Sequence, residues 1–220
     1  ASAEDIDDAI HRIVPKEYKD SWQDLNTPLH AFKRVASGPR IDKPQHIFFI
    51  VGESIPQWSL DEPYKDLNIC PGLWDFKDNP HTVQVPNFLP AGNVSRPSIV
   101  SLLSGVYDAG MEINEREAFW HEPLPTSLAS QMKNLGYDTI YWYGGNASYG
   151  NFNHFGKAQG FDRVESASVF CGPDAPKTWV GVYDHVFLEN ITEQIKGLDH
   201  PTFHFIYTTS NHGPYKMEDS

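Results

Sequence analysis

Apolar residues gather into three short blocks, with amphipathic stretches between them. Ile47-Phe48-Phe49-Ile50-Val51 is an unbroken apolar run followed by Gly52, Glu53 and Ser54. A run this short, bounded by polar residues, predicts a strand buried on both faces, as in a parallel sheet. Residues 137–143 alternate into a second strand and residues 202–209 form a third. Between them, residues 97–104 predict a helix, opened by Pro97 in its first turn and closed by Gly105. Residues 123–136 predict another, with Leu124, Leu128, Met132 and Leu135 on one side and Gly136 as the stop. Further helices are predicted over 152–160 and over 183–195, the latter with Val186, Phe187, Ile191 and Ile195 inward. The order strand, helix, helix, strand, helix, helix, strand predicts an α/β domain with a mostly parallel sheet flanked by helices.

The remaining stretches lack that periodicity. Residues 1–45 are polar and punctuated by Pro15, Pro28, Pro39 and Pro44, and read as an N-terminal arm or linker before a domain at 46–220. Within the arm, Ile6, Ile10, Ile13 and Val14 are spaced for one helical face. Residues 54–79 carry Pro56, Pro63 and Pro71, with Pro80 following, and read as a long irregular loop, with Trp58, Tyr64, Trp74 and Phe76 either walling a site or pinning the loop to the core. Residues 81–85 alternate weakly and predict a short strand.

Composition narrows the function. The formal charge of −12 argues against nucleic acid, which is bound through an excess of Lys and Arg. It leaves room for an anionic substrate whose charge a bound cation handles. No apolar run approaches the ~18 residues of a membrane span, and the acidic first residues are unlike the basic start of a secretory signal. Cys70 and Cys171 are the two cysteines, far apart in the chain, and a disulfide between them is open.

Three polar residues fall where strand ends and helix starts meet: Glu53, Ser95 and His212. In open α/β sheets the ligand site lies beyond the carboxyl ends of the strands. Ser95 stands at or beside the N-cap of the 97–104 helix. A plain capping serine is the commoner explanation of such a residue. The other is a nucleophile held where unpaired N–H groups and the helix dipole favour an anion. A carboxylate that holds a divalent metal, a hydroxyl that the metal activates and a histidine that binds an oxyanion make a coherent set.

With Val51-Gly52-Glu53-Ser54, the Ser95 helix start, Gly136-Tyr137-Asp138, Gly160-Phe161-Asp162 and Ser210-Asn211-His212-Gly213-Pro214 in this order, the chain resembles sulfatase-like proteins of the alkaline phosphatase superfamily over about residues 45–216. The likeness is greatest to the branch of lipoteichoic acid synthases and of phosphoglycerol and phosphoethanolamine transferases. The resemblance implies an alkaline-phosphatase-like α/β fold and a divalent metal ion, Mn, Mg or Zn. It implies Glu53 and Ser95 as metal ligands, Ser95 as nucleophile, and His212 as the residue that binds the substrate phosphate. Tyr149 lies beside the position where the family lines its head-group pocket with tryptophan, and Phe152 stands where an arginine is expected.

Two departures shape the expected function. Ser95-Arg96-Pro97-Ser98-Ile99 has isoleucine where sulfatases end the motif that yields formylglycine with an arginine, so an unmodified serine attacking phosphorus fits better. The family also places an Asp-His pair of metal ligands after the His212 turn, and Ser220 comes before it. The resemblance therefore implies a catalytic domain incomplete at its C-terminus and inactive by itself. The expected function is a metal-dependent, extracytoplasmic transferase or hydrolase of phosphoester head groups, tied to a membrane through segments outside this chain. A sulfatase, and a head-group-binding fragment without chemistry, are the alternatives.

Overall fold

Four parallel strands lie in the order β1-β4-β2-β3, with β1 at His46–Val51, β2 at Asp138–Tyr143, β3 at Arg163–Ser166 and β4 at Thr202–Tyr207. The computed structural model describes residues 41–85 and 88–215, together with Ser2, Glu4, Asp5, Asp8, Ala9, Arg12, Gly38 and Pro39. Residues 1–43 and 44–220 form two units. In the first, Arg12 pairs with Asp8 one turn away at 2.6 Å. Ile6, Ile10, Ile13 and Val14, on which the expected N-terminal helix rests, lie outside the described residues. The sheet and the site belong to the second unit.

The strand period of two sorts side chains to the two faces of the sheet. Tyr141, Tyr143, Phe203, Phe205 and Tyr207 point to one face. There they meet Ile99, Val100 and Leu103 of helix α2 (Ser95–Ser104) and Phe152 and Phe155 of α4 (Phe152–Ala158). Ile140, Trp142 and Ile206 point to the other, against Phe187 and Ile191 of α6 (Asp184–Ile195). Each such apolar side chain contributes on the order of 1.5–3 kcal/mol through burial. Among the described residues, short α1 (Pro71–Lys77), α3 (Leu128–Asn134) and α5 (Ala167–Phe170) are the other α-helices of this unit.

The strand ends that matter for the site stay locked beyond the sheet. Thr208 N–H donates to Val51 O at 3.1 Å and Gly144 N–H to Tyr207 O at 2.8 Å. Glu53 N–H donates to Thr208 Oγ1 at 3.2 Å. Helix α2 stops at Gly105, whose φ of +72° suits glycine, and a Cβ there would stand 2.4 Å from Thr126 O.

Several expectations are corrected. β1 is not buried on both faces. Among the described residues it is the edge strand, paired with β4 alone, and Phe48 and Ile50 are 49% and 60% exposed where α6 covers them incompletely. The doubly buried strand is β4, flanked by β1 and β2. Residues 54–79 are not irregular: 3₁₀ turns at Gln57–Leu60 and Glu62–Leu67 precede α1. Trp74 anchors this stretch with the Lys65 and Lys77 ammonium groups over its ring at 4.6 and 4.1 Å. Residues 81–85 form no strand, and Val83 and Val85 are exposed.

The helix expected over 123–136 starts only at Leu128. Gln159 captures the preceding chain: Leu124 N–H donates to its Oε1 at 3.0 Å, and Ser127 Oγ donates to its backbone carbonyl. Leu135 is exposed rather than inward. β3 carries no apolar run that would predict it, since Val164 is the one apolar residue of its four. Cys70 and Cys171 are free thiols.

Candidate active site

The site begins with Glu53, carried just past the end of β1 and only 7% exposed. Ser95 is the first residue of α2, while Val94 takes the N-cap position with extended backbone and no side-chain cap. Ser95 therefore does not cap its helix. Its hydroxyl donates to Glu53 Oε2 at 2.8 Å. Ser98 braces the turn before the helix by donating to Gly92 O and Val94 O at 3.2 and 3.1 Å. That leaves the Ser95 hydroxyl free for the carboxylate.

Two more hydroxyls reach Glu53. Ser54 Oγ donates to Oε1 at 2.8 Å, and Tyr207 OH donates to Oε2 at 2.6 Å. Tyr207 ends β4, and its ring stacks on Tyr143 of β2 at 5.1 Å and 8°. Burial pushes the Glu53 carboxyl up. The hydrogen bonds from Tyr207, Ser54 and Ser95, with the charge of His212, outweigh that, so Glu53 sits below the ordinary carboxylate value and is ionised. Tyr207 moves the other way. Burial, and then the bond to Glu53, raise its phenol against a smaller opposing pull from Ser95. Burial likewise pushes Tyr143 up to about 12. Both phenols are therefore neutral at physiological pH.

His212 enters from the turn after β4. Asp184, at the start of α6, pins that turn by accepting Thr209 N–H and Ser210 N–H on Oδ1, both at 3.0 Å. His212 Nδ1 lies 2.8 Å from Gly213 O. A carbonyl only accepts, so Nδ1 carries the proton and Nε2 is the nitrogen left for a ligand. The Trp179 ring stands edge-on to the imidazole at 5.2 Å, and its indole N–H donates to the same carbonyl at 3.0 Å.

Glu53, Ser95, Tyr149, Tyr207 and His212 line one cavity of about 530 Å³. All four residues singled out from the sequence meet there. Tyr149 is at the rim, largely exposed, beneath the guanidinium of Arg96 at 5.3 Å. Sequence reasoning missed Ser54, Arg96, Tyr143 and Tyr207. The available signal for Tyr207 was its position as the last residue of a strand, two residues beyond Phe205 and so on the same face.

As a metal centre the described residues offer a partial set. Glu53 and the Ser95 hydroxyl are hard oxygen donors of the kind Mg or Mn takes. Among the described residues, however, no three His, Cys, Asp or Glu side chains stand together. The pair fits two positions of a coordination shell and not a whole one.

Residues 45–220 match the family model described as Sulfatase. Two solved structures are similar in fold. One is a protein in the alkaline phosphatase superfamily from Vibrio parahaemolyticus, at 24% identity and a TM-score of 0.44, covering 56% of this chain and 30% of that one. The other is the lipoteichoic acid synthase LtaP from Listeria monocytogenes, at 18% identity and a TM-score of 0.45, with the same 56% and 30% covered. The chain thus spans under a third of the length of either.

Proposed function

Because the chain belongs to the sulfatase family, we propose that it is the Ser95-bearing part of an enzyme that transfers or hydrolyses phosphoester head groups, with Ser95 as nucleophile. The observation that carries this reading is the hydrogen bond from an uncapped helix-start serine to an ionised, buried carboxylate, at 2.8 Å.

Glu53 Oε2 accepts the Ser95 hydroxyl and is the atom placed to take its proton. Ser95 Oγ then attacks phosphorus, the bond to the leaving alcohol breaks, and a phosphoseryl ester forms. Water or an acceptor alcohol attacks that ester in turn, releasing Ser95. With a second proton on Nε2, His212 becomes the group able to donate to a phosphoryl oxygen or to protonate the leaving alcohol. The unpaired N–H groups at the start of α2 favour the anion beside Ser95. A divalent ion, which this family generally uses, would be held by Glu53 and Ser95 Oγ together with ligands beyond those described. When bound, it supplies positive charge for the phosphoryl oxygens and favours the alkoxide.

The reading prefers phosphoesters to sulfate esters. Ile99 fills the fifth position of the Ser95 segment, and it is buried in the core at 1% exposure. No arginine stands there to support a formylglycine. A head-group substrate would put the proposed reaction at a membrane surface, and likeness to the transferase branch favours the side outside the cytoplasm. No described helix is long and apolar enough to cross a membrane.

The test is Ser95→Ala in the full-length protein, assayed with a p-nitrophenyl phosphodiester, alongside rapid acid quench and mass spectrometry of the Ser95 peptide. Loss of turnover in the variant and a phosphoryl adduct on the wild-type peptide are expected. Undiminished turnover in the variant refutes the reading, and a formylglycine mass at Ser95 replaces it with sulfatase chemistry.

A further inference from the structure

Arg96 follows the nucleophile directly, in the first turn of α2. Among the described residues lining the Ser95 cavity, it alone carries a permanent positive charge. It also lines an adjoining cavity of about 520 Å³, with Asn93 and Val94 as the rest of the shared wall. The guanidinium therefore stands between the nucleophile's cavity and its neighbour.

Its partners hold it at long range. Nη1 lies 3.3 Å from Glu115 Oε1 and 3.9 Å from Glu112 Oε1, and Nη2 lies 3.4 Å from Tyr149 OH. Tight charge-assisted bonds run to about 2.7–2.9 Å. Glu115 is also committed elsewhere, since its other oxygen accepts the Asn151 amide. The Arg96 side chain is one-third exposed, and the Tyr149 ring lies below it. The result is a planar cation, backed by an aromatic face and weakly bonded, at the wall of a cavity whose other permanent charge is the Glu53 carboxylate. In a chain of net charge −12 an anionic ester is repelled unless a local cation admits it.

We infer that Arg96 is a further anion-binding residue of this site, beside His212. It exchanges its long contacts with Glu115 for the non-reacting oxygens of a tetrahedral oxyanion ester, with Tyr149 as the platform that keeps the fork aimed. The inference rests on the reading of Ser95 given above, in the same cavity.

A purely structural Arg96, tying α2 to Glu115 and the Tyr149 turn, makes the opposite prediction at one position. If Arg96 is a strut, Glu115→Gln loosens it and weakens anion binding. If Arg96 is a ligand-binding group restrained by a competing carboxylate, Glu115→Gln releases it and strengthens binding.

The experiment is calorimetric titration of inorganic phosphate, and separately of sulfate, into the metal-free full-length protein. Wild type is expected to bind at least one of the two saturably. Arg96→Gln should weaken binding at least 10-fold, and Arg96→Lys should fall between, keeping the charge but losing the fork. Glu115→Gln should tighten binding about 2- to 5-fold. Unchanged melting temperatures confirm that the variants fold, and the anion bound more tightly identifies the ester. The inference is overturned if wild type shows no saturable binding, if Arg96→Gln binds within twofold of wild type, or if Glu115→Gln weakens binding as much as Arg96→Gln does. Phosphate bound through Arg96 by a protein that never forms a Ser95 adduct supports this inference while removing the nucleophile reading.

Discussion

Tyr207 donates its hydroxyl to Glu53 Oε2 at 2.6 Å, on the same oxygen that accepts Ser95. Two donors converging on one carboxylate oxygen fix its plane, and with it the direction in which Ser95 points. Tyr207→Phe keeps the ring and its stack on Tyr143 and removes only the O–H. The expected outcome is a drop in kcat of about 10- to 100-fold, matching the ~1.5–3 kcal/mol of a hydrogen bond to a charged group. KM should stay within about twofold, since Tyr207 acts through Glu53 and not on substrate. Steady-state kinetics with a melting curve decide it: an unchanged kcat in a folded variant means that Ser54 and Ser95 alone orient the carboxylate.

Glu53 also sets a pH dependence. Its folded-state pKa lies below the ordinary value, so the carboxylate stays charged while an unfolded chain would already be protonating. The stability it contributes is present above the ordinary carboxylate range and is lost as pH falls through the lowered value. The acid limb of the pH–rate profile should therefore lie below the ordinary carboxylate range. Ser54→Ala removes the donor to Oε1 and should move that limb upward. A limb that does not shift in the variant separates it from Glu53.

What was legible in the chain follows from how each residue is advertised. Glu53 and Ser95 lie at the edges of apolar or helical segments, so their position relative to the sheet could be read although 42 residues separate them. His212 is marked by the turn residues around it. Tyr207 carries no such polar mark, because a tyrosine that ends a strand in register with Phe203 and Phe205 looks like core until its partner across the sheet is known. Arg96 looks like an ordinary helix-surface charge until the fold brings Glu115 and Tyr149 beside it. The misreading of β1 has a related cause. An apolar run shows that a strand has a buried face, but edge or centre is decided by which strands flank it, and residues 202–207 insert between β1 and β2 from far along the chain. The Gln159 contacts that shorten α3 are likewise long-range and leave no local trace.

His204 predicts a second pH effect, away from the site. It is fully buried in β4. The Trp142 indole N–H lies 3.1 Å from its Nδ1, and His46 Nδ1 lies 3.1 Å from its Nε2. An indole only donates, so His204 Nδ1 is the acceptor and Nε2 carries the proton toward His46. A second proton would have to enter at Nδ1 and break the bond to Trp142. Burial, with the charge of His46 beside it, brings the His204 pKa down to about 4. Between the ordinary histidine value and about 4 the unfolded chain takes up a proton that the folded chain refuses. Stability therefore falls as pH drops through that window, by about 3 kcal/mol in total, and is fully present above it. His204→Phe should flatten this slope. At pH 8 it should also cost about 1–3 kcal/mol through the unpaired Trp142 N–H. Urea unfolding of both proteins from pH 8 to pH 4 is the check, and parallel slopes would assign the acid sensitivity to other groups.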